Sequence, residues 1–211
     1  KVLVIGETII DQYHFVDPLG TTGKGNALAV QFNRSEKYAG GALAVANHVA
    51  NFSGNVSLVT GLGRINSEKD FVNQNLNKGV ETFFFEEKNS VTIRKERFVD
   101  KDLSKFFEVY FTKNQKELPS YHSELISWLN ENLFKYDLVL VADYGNGFIT
   151  DEMAFVISQT SKFLAVNTQI NSGNRGYHSI TRYTAAKFIA LNEPELRLAC
   201  HNKTENLEVL C

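Results

Sequence analysis

The chain has 211 residues, a formal net charge of −2, 43% hydrophobic residues and 22% charged residues. These values fit one sizeable domain with a real core, and they exclude the strongly basic footprint of a nucleic-acid binder. No apolar run approaches the roughly 20 residues that span a bilayer. Cys200 and Cys211 are too few for a disulfide framework and read as free thiols of a cytoplasmic protein.

The first element is a strand at Lys1-Val2-Leu3-Val4-Ile5, so no leader peptide is expected. Further unalternating apolar runs lie at Val56 to Val59, Leu138 to Ala142, Phe163 to Val166 and Phe188 to Leu191. Strands buried on both faces look like this and are usually parallel. Helical patterns fall between them. Ala42, Val45, Ala46, Val49 and Ala50 share a face, with Gly54 as a stop. Ser67 and Asp70 suggest a weak capping box, and Gly79 lies beyond that helix. Tyr121, Leu125, Ile126, Leu129 and Leu133 mark a longer helix, and Thr150 reads as the N-cap of another. Strands alternating with helices predict an α/β fold with a mainly parallel sheet. Two stretches break the rhythm, at about 12–39 and 89–112. Their loose alternation predicts antiparallel strands outside the main sheet, either a lid over a ligand site or a plain edge hairpin.

Four places carry candidate chemistry. Gly6-Glu7-Thr8-Ile9-Ile10-Asp11 follows the first strand, and ligand crevices of open α/β sheets lie at the carboxyl ends of strands. Asp11 there could accept hydrogen bonds from two sugar hydroxyls, or be an ordinary turn aspartate. Gly40-Gly41 opens a helix, letting backbone approach a ligand closely. Asn47 on that helix could complete a polar pocket with Asp11, whereas His48 reads as a packed helix histidine. Asp143-Tyr144-Gly145-Asn146-Gly147 is a glycine-rich turn past a buried strand. Asn192-Glu193-Pro194-Glu195 is a helix start with Asn192 as cap, and its carboxylates could hold Mg²⁺ through water.

In this order, the four motifs resemble the ribokinase-like (PfkB) carbohydrate kinases, and within them the heptose 7-phosphate kinase branch of bacterial surface-polysaccharide (lipopolysaccharide) pathways. Gly6-Glu7-x-x-x-Asp11-x-Tyr13 is similar to that branch's Gly-Asp-x-x-x-Asp-x-Tyr. Gly40-Gly41-Ala42 is similar to its Gly-Gly-Ala helix start, Asp143-Tyr144-x-x-Gly147 to its Asp-Tyr-x-Lys-Gly turn, and Asn192-x-x-Glu195 to the family's Asn-x-x-Glu. The resemblance implies a Rossmann-like core with a β-lid and a sugar or sugar phosphate held by Asp11, Gly40, Gly41 and Asn47. It implies ATP near Asp143 and Asn192, and Mg²⁺ near Glu195. Arg94, Arg97 and Arg175 are candidates for a phosphate on the substrate, or ordinary exposed arginines. The resemblance also implies a homodimer through the lid strands and, in this branch, a fused nucleotidyltransferase.

The family's catalytic base comes from a later Gly-Ala-Gly-Asp, which does not occur in these 211 residues. The chain is therefore expected to be an incomplete kinase domain, inactive alone. It also has Asn146 and Gln169 where the branch has lysines. Those replacements keep open a kinase-like domain that binds without phosphorylating, and a kinase for another sugar shares the same chemistry. A dinucleotide oxidoreductase is disfavoured because Gly6-Glu7-Thr8 is not Gly-x-Gly-x-x-Gly. The five histidines show no metal-ligand spacing.

Overall fold

The computed structural model describes residues 1–112, 117–174 and 176–211. Its main sheet has the order β4-β3-β1-β7-β8-β9, and every neighbouring pair along it is parallel. The members are β1 (Val2–Thr21), β3 (Val56–Ile65), β4 (Val80–Val91), β7 (Leu138–Asp143), β8 (Leu164–Thr168) and β9 (Phe188–Ala190). Side chains of adjacent strand residues point to opposite faces, so β1 feeds two cores. Leu3 and Ile5 pack with α3 (His122–Asn132) and α4 (Asp151–Thr160). Val4 packs on the other face with α1 (Ala42–Ala50) and α2 (Lys69–Asn75). Two short helices, α5 (Glu193–Ala199) and α6 (Leu207–Leu210), complete the chain.

The first strand does not end at Ile5. It runs 20 residues, through the segment expected to be a turn, and leaves the main sheet to join a second one. Thr8-Ile9-Ile10 and Tyr13-His14-Phe15-Val16 explain this, because β-branched and aromatic residues sustain extended backbone. Gly6 sits at the crossing point: a Cβ there would meet the Ala142 carbonyl oxygen at 2.1 Å. In the outer sheet β1 pairs antiparallel with β2 (Leu28–Gly41) and parallel with β5 (Arg94–Val99). Strand β5 pairs antiparallel with β6 (Lys105–Phe111). The two irregular stretches thus form one four-stranded layer, but the β1–β5 pair is parallel rather than antiparallel.

Smaller departures have local causes. Strand β4 was not legible at its start, since Val80-Glu81-Thr82 mixes polar and apolar residues at a sheet edge. Ser67 does not cap α2; Glu68, in the left-handed region at φ 55°, takes the cap position without a side-chain bond. Thr150 does cap α4, its hydroxyl accepting from the Met153 N–H at 3.3 Å. Cys200 and Cys211 are both exposed and unbridged. Among the described residues no helix is long and apolar enough to cross a membrane.

Candidate functional site

The outer sheet's register decides which side chains meet. Tyr38, Asp11, Lys95 and Tyr110 stand opposite one another in a row across β2, β1, β5 and β6. Glu36, Tyr13, Arg97 and Glu108 form the next row, two residues further out on the same face. Arg97 joins the rows: its guanidinium donates to the Asp11 carboxylate and, at 3.2 Å, to Glu108. Glu108 also accepts from Lys105 at 2.9 Å and from the Tyr110 hydroxyl at 2.6 Å. Arg97 lies 5.2 Å from the Tyr13 ring centre, a cation–π distance.

The paired glycines close on this face. A Cβ at Gly40 would lie 2.1 Å from Asp11 Oδ2, so only glycine lets the carboxylate sit against the backbone. Gly41, at φ 60°, adopts the left-handed region and caps α1 with no side-chain bond. The N-cap residue of α1 thus gives no side-chain acceptor to the first N–H groups of the helix.

At the adjoining carboxyl end of β7 lies a second, buried set. Glu7 is 1% exposed, and its two oxygens accept from the Tyr144 N–H at 2.8 Å and the Asn146 N–H at 2.9 Å. Burial pushes the Glu7 carboxyl up to about 7, and the charge of Asp143 adds to the rise against those two donors. Asp143 is equally buried. Its carboxylate accepts from Tyr183 at 2.6 Å, Arg182 at 3.4 Å and the Gly145 N–H at 3.2 Å, and His178 Nε2 lies 2.9 Å away. Burial raises the Tyr183 hydroxyl well above its ordinary value, with Asp143's charge adding.

Of the expected site residues, Asp11, Gly40 and Gly41 come together. Asn47 does not join them. Its amide donates to the Asn75 carbonyl at 2.7 Å and accepts from the Asn77 N–H at 2.8 Å. Those contacts put it near the start of β4, at the amino edge of the main sheet, because α1 runs back down the sheet. Arg94 is one residue out of phase with Asp11 and faces the other side of the outer sheet. There it pairs with Glu96 at 2.7 Å and lies 4.3 Å from the Phe111 ring centre. Arg175 lies outside the described residues.

Asn192 and Glu195 form a full capping box. Asn192 Oδ1 accepts from the Glu195 N–H at 2.9 Å, and Glu195 Oε2 accepts from the Asn192 N–H at 2.9 Å. The other Glu195 oxygen accepts from the Ile170 N–H at 3.1 Å. Among the described residues no group of three histidines, cysteines or carboxylates is arranged to hold a metal ion. Both Glu195 oxygens are already engaged by backbone N–H groups. Sequence reasoning missed Lys95, Arg182, Tyr183 and His178. The signal for Lys95 was its spacing of two from Arg97 on a strand; the other three act across the fold and left none.

A cavity of about 500 Å³ adjoins the Glu7–Asp143 set, lined by Asn146, Gly147 and Arg182 together with Gly63, Thr92 and Tyr121 among others. It borders the starts of α3 and α4.

No protein-family model matches the chain. Solved structures share its fold. Arabidopsis thaliana ribokinase complexed with ribose and ATP aligns with a TM-score of 0.65 at 16% identity, over 99% of this chain and 65% of that one. Escherichia coli phosphofructokinase-2 in complex with substrates and products aligns with a TM-score of 0.67 at 12% identity, over 99% and 66%. The fold is thus that of the ribokinase-like carbohydrate kinases.

Curated relatives narrow the likeness. The Bifunctional protein HldE of Nitratiruptor sp. is 27% identical over 162 residues, covering 76% of this chain and 34% of that protein. HldE of Campylobacter jejuni (strain RM1221) is 24% identical over 216 residues, covering 99% and 42%. The chain thus spans well under half the length of the curated relatives it matches. These likenesses bear out the resemblance to the ribokinase-like kinases and to their heptose kinase/nucleotidyltransferase branch.

Proposed function

We propose that the chain is the sugar-binding portion of an ATP-dependent carbohydrate kinase that phosphorylates a sugar phosphate, with a heptose phosphate of surface-polysaccharide synthesis as the substrate. The observation that carries this reading is the Asp11–Arg97 pair held against Gly40 at the start of α1. A carboxylate pinned on one side by a guanidinium still has lone pairs for sugar hydroxyls. The glycine and the uncapped helix start supply backbone donors beside it. The outer sheet acts as the lid that excludes water during transfer.

The reaction class is in-line transfer of a γ-phosphoryl group to a sugar hydroxyl, whose proton must pass to a base. No Gly-Ala-Gly-Asp occurs in the sequence, and no residue described above is proposed as that base. ATP would lie towards β8 and β9. Asn192 and Glu195 would order that edge through their capping box, with any Mg²⁺ contact made through water. HldE-like proteins also suggest a fused nucleotidyltransferase beyond this region. The stacked His14, Phe98 and Phe107 rings and the exposed Phe32 on the outer sheet's far face suit pairing of two lids in a homodimer.

The test is ATP consumption by the full-length chain across a panel of sugar phosphates. Sugar-dependent turnover that falls at least tenfold in Asp11→Asn supports the reading. A second reading has its own observation: Asn146 and Gln169 occupy the two positions where the resemblance calls for lysine. Sugar binding without ATP consumption selects that reading, a kinase-like domain that binds without phosphorylating.

A further inference from the structure

Lys95 is 5% exposed and stands in the same row as Asp11, on the face that the proposed function gives to the sugar. Among the described residues its ammonium has no hydrogen bond and no carboxylate within ion-pair distance. Its close neighbour is the Tyr110 ring, 5.2 Å away. The carboxylates around it are already engaged: Asp11 by Arg97, and Glu108 by Arg97, Lys105 and Tyr110. Glu7, further in, is spent on two backbone N–H groups. A mostly buried lysine whose ammonium makes no direct hydrogen bond or ion pair among the described residues is favoured by an anion that reaches it.

The other cations are accounted for. Arg97 is shared by two carboxylates, and Arg94 is held by Glu96 on the opposite face. We propose that Lys95 is the specificity-determining residue of the sugar site, pairing with an anionic substituent, phosphate or carboxylate, and so selecting charged over neutral sugars. This rests on the sugar-site reading above and adds to it the residue that reads the charge. Burial lowers the Lys95 pKa, against the charges of Asp11, Glu7 and Glu108, which raise it. An anion beside it would favour the charged form further.

The experiment is calorimetric binding to the full-length chain with sedoheptulose 7-phosphate, sedoheptulose, glucuronate and glucose. The wild type should bind the phosphorylated heptulose at least tenfold more tightly than the neutral one. Lys95→Met, which keeps the stem and removes the charge, should bring that ratio within twofold. Lys95→Gln serves as a second variant with the same expectation. A parallel preference for glucuronate over glucose assigns the contact to anions generally, and its absence assigns it to phosphate. A phosphate preference that survives both substitutions overturns the proposal. Failure of the wild type to bind either heptulose removes the sugar-site reading itself, a result visible before any variant is compared.

Discussion

Glu7 and Asp11 stand four residues apart on β1, yet their surroundings treat charge in opposite ways. Glu7 and its neighbour Asp143 are buried in the main sheet and their carboxylates are held by donors within the chain, although His178 Nε2 and Arg182 Nε beside them make no hydrogen bond. Asp11 lies on the outer sheet, about a fifth exposed at 23% of its side chain, beside a lysine that makes no hydrogen bond or ion pair among the described residues. A closed network holds geometry, whereas an open one asks for a ligand. Asp143 acts as a clasp on the turn over β7, while Asn146 and Gly147 of the same turn line the cavity of about 500 Å³.

The largest effect should come from opening that clasp. Asp143→Ala takes the buried partner from Tyr183 and His178, while Arg182 keeps Asp151 at 2.9 Å, and loss of one partner in such a setting typically costs about 3–5 kcal/mol. Urea denaturation of the variant should show a loss of that order with an unchanged dependence on denaturant. A change below about 1 kcal/mol would mean that water already reaches the cluster, and the contrast between the two regions would collapse.

Glu7 gives a smaller effect with a sign. Its carboxyl is raised from 4.5 to about 7 in the fold, so the folded state binds the proton more tightly than the unfolded chain does. Stability from this group is fully present below about pH 4.5 and is lost as pH rises through about 7. The shift corresponds to roughly 3 kcal/mol at most, shared with Asp143. Urea midpoints measured from pH 5 to pH 8 should fall in the wild type and stay flat in Glu7→Gln. A wild-type stability that rises over this window would show that the two backbone donors outweigh burial.

Much of this was legible in the sequence, and the reasons differ by element. The buried strands at Val56 and Leu138 announce themselves because strands covered on both faces need unbroken apolar runs. Thr150 and Asn192 are readable as caps because capping is local chemistry. Gly40 and Asp11 were found as separate motifs, but their contact comes from strand pairing across 29 residues, which no local pattern encodes. Asn47 failed for a related reason. A helix that starts at the ligand edge carries its later residues away at about 1.5 Å per residue, so nearness in sequence misled. Arg182, Tyr183 and His178 converge on Asp143 only after the chain has folded back, and nothing in their spacing hints at a shared partner.

Arg94 offers the finest discrimination between the faces of the outer sheet. Position 94 pairs with Ile10 and position 95 with Asp11, so a shift of one residue separates the site face from the far face. Arg94 is about one-fifth exposed at 22% of its side chain, its charge is met by Glu96, and its guanidinium lies over the Phe111 ring. Arg94→Met keeps the stem and should change stability by no more than about 1 kcal/mol, the usual scale for a part-exposed pair. Affinity for sedoheptulose 7-phosphate should stay within twofold of the wild type. A tenfold loss at Arg94 with no loss at Lys95 would put the ligand on the opposite face, since alternation along one strand cannot bring both side chains to the same sugar.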